Sequence, residues 1–464
     1  MLMWKRIAPF FLAAACLAAD YTALDRYVET ADSSYKYSLV NSVQVQGITA
    51  YVLDLTSQTW LTTGEVDRPE WRHRLSIIRP EKLATSTVLL LINGGSNPPD
   101  FTQLPDLQLM LAAGETGAIV AEIQQVPNEP LHFQGEDRTR SEDAIIAYTW
   151  DRYLKTGEEK WPARLPMTKS VVRAMDAISD FLASDRGGNV RVSQFIVTGA
   201  SKRGWTTWST AAVDPRVIAI APMVIDLLNI PASFIHHWRA YGFWSPAIHD
   251  YEEMGLSSWI GLPQFPSLME IEDPYEYRER MSLPKYLINS TGDQFFLPDS
   301  AQFYFQDLPG EKYLRYVPNT DHGLDASVLF SLVAWFQAVT SNTPRPRFYW
   351  KSSRADGWLV LRTIDKPSKV LLWKASNPNA RDFRLETIGK AWTSTPVEGI
   401  NGVYTITMPR PEKGWTAFFL ELTYEGRGKY PLVFTTDILV TPDEYPFEAP
   451  AASLARRPTA KTTR

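Results

Sequence analysis

Alternating apolar and polar positions near the start of the chain predict antiparallel strands. The alternation is clear over Ile48–Leu55 and Trp71–Ile78, and weaker at Tyr35, Tyr37 and Leu39. Side chains at every second position of a strand face the same side, so each segment has one face to bury. We expect these strands to lead into a larger sheet.

From residue 87 onward, predicted strands and helices alternate. Apolar runs that suit buried strands are Thr87–Ile92, Gly117–Ile123, Ser193–Thr198, Val217–Ile225, Lys285–Ser290 and Lys312–Val317. Predicted helices are Leu104–Ala113, Ser141–Tyr153, Met167–Ala183, the stretch after Ser201, one from about Ser300, and Ala326–Val339. This rhythm predicts an α/β domain with a parallel sheet over residues 20–340.

An aromatic-rich stretch, residues 228–283, interrupts this rhythm. It includes Phe234, Trp238, Trp244 and Tyr251. We interpret the stretch as a helical lid inserted over the C-terminal edge of the sheet. Its aromatic rings either line a cleft for a sugar or peptide or pack in the core.

The pattern changes again after a proline-rich linker at residues 341–346. Short strands are predicted at Trp358–Thr363, Ser368–Trp373, Asp382–Thr387, Gly402–Met408, Trp415–Thr423 and Leu432–Val440. Their regular spacing predicts a β-sandwich-like domain over residues 347–445. Residues 446–464 are expected to be a disordered tail.

Composition narrows the class of protein. The 464 residues are 44% hydrophobic and 21% charged, which is typical of a globular protein. A net charge of −5 offers no basic surface for nucleic acid. No stretch approaches the length of apolar sequence needed to cross a bilayer, so no transmembrane segment is predicted.

The N-terminal segment, residues 1–19, has the pattern of a secretory signal peptide. Lys5 and Arg6 precede an apolar run, and small residues follow up to Ala19. We therefore expect a secreted or periplasmic protein. Cys16 is the single cysteine and lies within this segment, near a weak match to a lipoprotein processing site. Cleavage near Ala19 would leave a mature chain without disulfides.

The candidate chemistry begins at Ser201. A strand, a sharp turn and a helix form the context of a nucleophile elbow, which needs small residues around the serine. Gly199 and Gly204 supply them, although the second glycine comes one position later than in the motif G-x-S-x-G. Arg203 occupies the position where a small residue is expected. Because such turns also occur without chemistry, the interpretation depends on partner residues.

Asp293 and His322 supply those partners in the chain order Ser, Asp, His. Each follows a predicted strand. In this hypothesis Ser201 attacks an acyl carbon, His322 transfers the proton and Asp293 orients the imidazole ring. Asp321, next to His322, and Asp226, after the strand that follows the elbow helix, are alternative acids.

The oxyanion donors are expected from the backbone at two places. One is the N–H group of Lys202, and the other comes from the turn at Gly95 and Ser96. The side chains of Lys202 and Arg203 are expected either to form salt bridges or reach solvent, or to bind a substrate carboxylate.

The lid supplies the remaining candidates. Trp238 and Trp244 are expected to contact substrate. His236, His237 and His249 lack further ligands at a metal-binding spacing. Structural or substrate-facing roles are therefore expected for these histidines, and neither a metal nor a cofactor is expected.

Several stretches resemble the PhoPQ-activated pathogenicity-related protein family. They are Gly199–Trp208, Leu91–Gly95, Asn289–Phe296, Asp321–His322 and Gly414–Phe419. The resemblance extends over roughly residues 22–445. It implies a secreted protein of the α/β-hydrolase superfamily with a C-terminal β-domain, and it leaves the substrate open. The elbow is also similar in its glycine spacing to that of glucuronoyl esterases.

Two functions are compatible with the sequence. The first is a serine hydrolase that cleaves an ester or peptide bond in a small-molecule, glycan or peptide substrate through an acyl-enzyme. The second is a secreted, non-catalytic binding or signalling protein on the same scaffold, because fold alone does not establish function. Replacing Ser201 separates them, since only the first depends on its hydroxyl.

Overall fold

A computed structural model describes residues 21–103 and 105–449. The predicted signal peptide and residues 450–464 of the predicted tail lie outside the described residues. The strands are β1 Lys36–Val45, β2 Ile48–Thr59, β3 Glu70–Pro80, β4 Val88–Ile92, β5 Ile119–Ile123, β6 Phe195–Ala200, β7 Val217–Met223, β8 Lys285–Ser290, β9 Lys312–Val317, β10 Phe348–Ser353, β11 Trp358–Thr363, β12 Lys369–Asn377, β13 Thr393–Pro396, β14 Val403–Thr407, β15 Trp415–Tyr424, β16 Leu432–Thr435 and β17 Leu439–Thr441. The helices are α1 Ala23–Glu29, α2 Leu107–Thr116, α3 Asp143–Thr156, α4 Arg164–Ala183, α5 Lys202–Val213, α6 Ile230–Tyr241, α7 His249–Glu253, α8 Gln264–Glu272, α9 Ser327–Thr340 and α10 Leu385–Ile388.

The central sheet has the predicted mixed character. Its strands lie in the order β1-β2-β3-β5-β4-β6-β7-β8-β9. Strands β1 to β3 pair antiparallel, and the strands from β5 to β9 pair parallel. The parallel strands all end at one edge, so the loops after β6, β8 and β9 meet there.

Strand β4 shows why the continuous apolar runs belong to the centre of the sheet. Val88 and Leu90 are fully buried in the core that includes α3, α4 and α5. Leu89 points to the opposite face and packs in a second cluster with residues of α2 and α9. Successive side chains of a strand face opposite sides, so both faces of this sheet require apolar residues.

The C-terminal strands form two layers, one of which continues the central sheet. Strand β16 pairs with β9 where Thr435 lies beside Leu314, and β15, β12 and β13 extend the sheet further. Strands β10, β11 and β14 form a separate sheet. Leu359 and Leu361 of β11 share a buried cluster with Phe418 of β15, so apolar packing joins the two layers.

Three local predictions were wrong. The helix expected from Ser300 is a pair of 3₁₀ turns, Ser300–Phe303 and Phe305–Asp307. The strand expected at Asp382–Thr387 is a loop followed by α10. There Arg384 bonds to the Asp382 carboxylate, and the Leu385 N–H donates to the Gly292 carbonyl at 2.9 Å. The segment from Leu432 to Val440 is interrupted between β16 and β17.

The insertion at residues 228–283 is helical, as predicted. It contains α6, α7, α8 and the 3₁₀ segments Pro246–Ile248, Leu256–Trp259 and Pro274–Arg280. The hydroxyl of Tyr251 on α7 donates to the Asp143 carboxylate at the start of α3, over 3.0 Å. The insertion is thereby tied to the α/β domain beside the elbow helix.

Candidate active site

Ser201 lies in a strained turn between β6 and α5. Its backbone has φ 58° and ψ −128°, a left-handed conformation that non-glycine residues adopt rarely and at a cost of roughly 1–3 kcal/mol. The Ser201 N–H donates to the Met223 carbonyl at 2.9 Å, which ties the turn to β7. The residue remains partly exposed.

The two glycines around Ser201 are required by close backbone contacts. A Cβ on Gly199 would lie 2.7 Å from the Arg203 carbonyl oxygen. A Cβ on Gly204 would lie 2.8 Å from the Met223 carbonyl oxygen and 2.9 Å from that of Gly199. Distances this short are repulsive, so α5 can approach β6 and β7 only with glycine at both positions. Steric contacts therefore explain why glycine is needed at Gly204, one position later than in the usual motif.

His322 and Asp293 form a hydrogen-bonded pair in the loops after β9 and β8. The imidazole Nδ1 lies 2.8 Å from a carboxylate oxygen of Asp293. The other carboxylate oxygen accepts the N–H groups of Phe295 at 2.7 Å and Phe296 at 3.3 Å. Because Asp293 receives these bonds, its carboxylate is held in place. It accepts a hydrogen bond from the Nδ1–H group, and in this tautomer the lone pair of the ring lies on Nε2.

Nε2 of His322 is buried and has no hydrogen-bond partner within residues 21–103 and 105–449. Two phenylalanine rings connect the surroundings of His322 with those of Ser201. The Phe295 ring centroid is 4.4 Å from that of His322, and Phe295 and Phe296 both line a cavity with Ser201. The structure thus brings Asp293 and His322 together directly and places Ser201 at the same edge of the sheet.

The alternative acids have other partners. Asp226 is fully buried and accepts the hydroxyls of Tyr304 at 2.6 Å and Tyr316 at 2.7 Å. Burial raises the pKa of Asp226 to about 7. Asp321 is exposed and accepts the Gly323 N–H at 2.8 Å. Their bonds therefore leave Asp293 as the carboxylate that contacts the His322 ring.

The cavity at Ser201 is narrow, about 40 Å³, and mainly apolar. Its walls include Trp150, Trp205, Phe234, Tyr251, Phe295 and Phe296. Of these residues, Phe234 and Tyr251 come from the inserted lid. Apolar walls lower the local dielectric, which strengthens electrostatic interactions near the serine.

His237 of the lid contributes a polar group to this cavity. Its Nε2 accepts the Ser245 N–H at 3.0 Å. Burial lowers the pKa of His237 to about 3, so the ring is neutral at physiological pH. A neutral imidazole that accepts through Nε2 carries its proton on Nδ1, which makes this nitrogen a donor.

Lys202 and Arg203 are buried in salt bridges beside the elbow. The Lys202 Nζ is 2.6 Å from Glu142 and 3.1 Å from Asp143. Arg203 donates to both Glu142 oxygens at 2.7 and 2.8 Å and to the Val126 carbonyl at 2.6 Å. Of the roles expected for these two side chains, the salt bridge is the one observed. Lys202 also reaches the cavity wall.

A third carboxylate, that of Glu129, completes this ionic cluster. Glu129 lies 3.6 Å from Arg203, and its other oxygen accepts the Glu142 N–H at 2.6 Å. Burial raises the pKa of Glu129 to about 7. Burial acts in the same direction on Glu142, but Arg203 and Lys202 outweigh it and hold the pKa of Glu142 well below its usual range.

The turn expected to supply an oxyanion donor is braced by the same arginine. A Cβ on Gly94 would lie 2.5 Å from the Arg203 guanidinium, so the two groups are in contact. The Gly94 carbonyl accepts the Gln125 N–H at 3.0 Å. The backbones of Ser96 and Glu129 pair in an isolated parallel β-bridge. Gly95 and Ser96 therefore lie in a turn held by the loop after β5.

Trp238 and Trp244 lie behind the cavity wall. The Trp244 ring is 5.7 Å from that of Phe234 and 5.6 Å from that of His237, both of which line the cavity. Trp238 packs against Trp244 at 5.1 Å. Phe295 and Phe296 also line the cavity and were not among the predicted site residues, although their position directly after Asp293 was a usable signal.

His236 of α6 has a structural environment. Its Nε2 lies 2.8 Å from Asp299 and its Nδ1 lies 3.0 Å from the Tyr445 hydroxyl. Within residues 21–103 and 105–449, no group of three or more His, Cys, Asp or Glu side chains is arranged to hold a metal ion. In the same part of the chain, no helix combines the length and apolar character needed to cross a membrane.

The strand order, the strained serine after β6 and the Asp293–His322 pair at the same sheet edge define a protein with the α/β-hydrolase fold. The chain belongs to the PhoPQ-activated pathogenicity-related protein family, whose model matches residues 24–384. It is 38% identical over 458 residues to autocrine proliferation repressor protein A of Dictyostelium discoideum, an alignment that covers 92% of each chain.

Solved structures with a similar fold include two esterases. An acetyl xylan esterase from Paenibacillus sp. R4 is 13% identical with a TM-score of 0.48, covering 68% of this chain and 92% of that chain. A glucuronoyl esterase from Solibacter usitatus is 12% identical with a TM-score of 0.39, covering 68% of this chain and 90% of that chain. Neither similarity identifies a substrate.

Proposed function

We propose that this protein is a secreted serine hydrolase that cleaves an ester or peptide acyl bond through an acyl-enzyme on Ser201. The observation that carries the proposal is the free Nε2 of His322. Asp293 holds the other ring nitrogen at 2.8 Å, and the strained Ser201 lies at the same sheet edge. A serine hydroxyl needs such a base to become a nucleophile at neutral pH.

In the proposed reaction, the Ser201 oxygen attacks the acyl carbon while Nε2 of His322 takes the hydroxyl proton. Asp293 stabilises the imidazolium that forms. The bond to the leaving alcohol or amine then breaks, and His322 returns the proton to that group. A water molecule attacks the acyl-enzyme by the same route and releases the acid.

The negative charge on the acyl oxygen needs donors. We assign them to the backbone N–H of Lys202, at the N-terminus of α5, and to one from the turn at Gly95 and Ser96. A single donor of this kind contributes about 3 kcal/mol to the transition state. Two contacts of the Arg203 guanidinium support the assignment, because its hydrogen bond to the Val126 carbonyl and its contact with Gly94 link the elbow to that turn.

Secretion is part of the proposal and is supported by the charged and apolar pattern of residues 1–19. The name of the relative from Dictyostelium discoideum supports the alternative, a secreted signalling protein without catalysis. The two functions make opposite predictions for a probe that reacts covalently with activated serines.

The test is fluorophosphonate labelling of the purified protein. We expect labelling of the wild type and none of Ser201→Ala. Ser233→Ala is the matched control, because Ser233 lines the same cavity and its hydroxyl bonds to the Leu228 carbonyl at 3.4 Å. Equal labelling of wild type and Ser201→Ala, or no labelling of the folded wild type, would contradict catalysis by Ser201.

A further inference from the structure

A second cavity begins beside His322 and runs between the sheet and helices α2 and α9. Its volume is about 260 Å³, compared with about 40 Å³ for the cavity at Ser201. Ala200, the residue before Ser201, forms part of its wall together with His322. The two cavities therefore flank the proposed reacting groups.

The walls of this second cavity offer hydrocarbon surface. Leu89, Leu91, Val328 and Leu329 are among the aliphatic side chains that line it. Its buried hydroxyl, that of Thr198, donates to the Ala221 carbonyl at 2.6 Å, and the Asp325 carboxylate accepts the Ser327 N–H at 2.9 Å. A sugar or peptide would lose its hydrogen bonds to water here, so an apolar chain fits best.

The cavity reaches the surface near the His322 loop. Gly323, Asp325 and Ala326 line it and are exposed. On α2, which also lines it, Leu107 and Leu111 are 78% and 45% exposed. Apolar residues on the helix that covers the cavity suit a substrate with a hydrocarbon tail.

We propose that this cavity binds the acyl chain of the substrate, which makes medium-chain acyl esters the preferred substrate class. An apolar cavity of ~150 Å³ binds benzene, so the present volume holds a chain of about eight carbons. The narrow aromatic cavity at Ser201 is too small for such a chain and takes a smaller group. The link to hydrolysis rests on the proposed function of Ser201.

The first experiment measures binding without catalysis. Octanoate is titrated calorimetrically into the folded Ser201→Ala protein, alone and combined with Ala326→Trp. Ala326 is exposed at the cavity mouth in ordinary helical backbone, so tryptophan is accommodated and obstructs the entrance. We expect at least a roughly tenfold loss of octanoate affinity, since each buried methylene contributes about fourfold. Ser341→Trp, at the exposed far end of α9, should bind as the parent does.

The second experiment measures kcat/KM for p-nitrophenyl esters from acetate to dodecanoate. Wild type and Ser341→Trp should share a maximum near octanoate, while Ala326→Trp should lower the ratio of octanoate to acetate hydrolysis. Leu329→Ala enlarges the cavity and should move the maximum to longer chains. This variant provides an independent readout if Ala326→Trp fails to fold.

The outcomes distinguish the two proposals. Absence of octanoate binding, equal binding by the Ala326→Trp protein, or a chain-length profile that neither variant shifts would overturn the acyl cavity. The proposed hydrolase activity would then be judged by the fluorophosphonate labelling alone. Octanoate binding that Ala326→Trp blocks, in a protein that neither reacts with fluorophosphonate nor cleaves esters, would retain the cavity as an acyl-chain site and reject the hydrolase.

Discussion

Two histidine–aspartate pairs in the described part of the chain have the same contact distance and different surroundings. In His236–Asp299 and in His322–Asp293, the ring nitrogen and carboxylate oxygen are 2.8 Å apart. The other nitrogen of His236 bonds to Tyr445, and Arg381 donates to Asp299 at 2.6 Å. The other nitrogen of His322 has no hydrogen-bond partner among residues 21–103 and 105–449.

This difference shows that the pair itself does not define a catalytic group. His236–Asp299 connects the lid helix α6 to Arg381 and to Tyr445 near the C-terminus, so it joins distant parts of the molecule. His322–Asp293 leaves one nitrogen to accept a proton at the edge where Ser201 lies. The ring nitrogen that does not contact the aspartate therefore distinguishes the two pairs. It is hydrogen-bonded in the structural pair of His236, whereas in the candidate base His322 it has no hydrogen-bond partner in the described part of the chain.

Replacing each histidine tests this comparison most strongly. We expect His322→Ala to reduce kcat/KM for an accepted ester by roughly 10⁴- to 10⁶-fold, with little change in stability. His236→Ala leaves buried partners without their hydrogen bonds and should lower the free energy of unfolding by about 1–3 kcal/mol. Its folded fraction should keep near wild-type turnover.

The measurement combines ester hydrolysis with urea unfolding of the same preparations. Turnover is expressed per folded molecule, so that loss of stability is not mistaken for loss of catalysis. Equal loss of turnover in both variants would remove the distinction between the two pairs.

Replacing each aspartate gives a smaller contrast. In Asp293→Asn the amide oxygen can still accept the Phe295 and Phe296 N–H groups, but the favoured His322 tautomer changes. Turnover should then fall by about 10⁴-fold with the fold intact. Asp299→Asn leaves the buried Arg381 charge without its partner and should cost about 3–5 kcal/mol of stability.

Thermal unfolding and ester kinetics on both asparagine variants check this prediction. Alanine at position 293 is a useful companion, because it also removes the acceptor for the two backbone N–H groups. A large loss of stability in Asp293→Asn, with turnover per folded molecule preserved, would assign that pair to structure as well.

The sequence allowed the order of Ser201, Asp293 and His322 to be predicted because each follows a parallel strand. Ends of parallel strands meet at one edge, so the topology brings these residues to the same region. The mixed sheet was predictable for a related reason: apolar periodicity reports which faces of a strand are buried. The helical lid was predicted from a different signal, an aromatic-rich stretch that interrupts the alternation of strands and helices.

Side-chain partners from distant loops could not be predicted in this way. Arg203 was open to a substrate role because nothing in its local sequence indicates that Glu142 and Glu129 converge on it. The hydrogen bond between His236 and Asp299 also joins residues that are far apart in the sequence. At Asp382–Thr387, local alternation favoured a strand, but bonds from Arg384 to Asp382 and from Leu385 to Gly292 stabilise a loop instead.

The pH dependence of stability extends the comparison to His237, next to His236 on α6. Burial lowers the pKa of His237 to about 3, against an ordinary value of 6.5. Below pH 6.5 His237 is therefore protonated in the unfolded chain but stays neutral in the folded protein, so acid favours unfolding. This residue should remove about 2 kcal/mol of stability between pH 7 and pH 5.

His237→Asn should flatten the decline in the free energy of unfolding between pH 7 and pH 5, whatever its stability at pH 7. Buried carboxyls with a raised pKa, such as Asp226, act in the opposite direction, but they are common to both proteins and cancel in the difference. The matched control is His249→Asn, an exposed histidine of the same lid, which should follow the wild-type curve. Parallel curves for wild type and His237→Asn would mean that His237 is protonated in the folded lid. The contrast between α6 histidines that affect stability and a His322 that affects turnover would then fail.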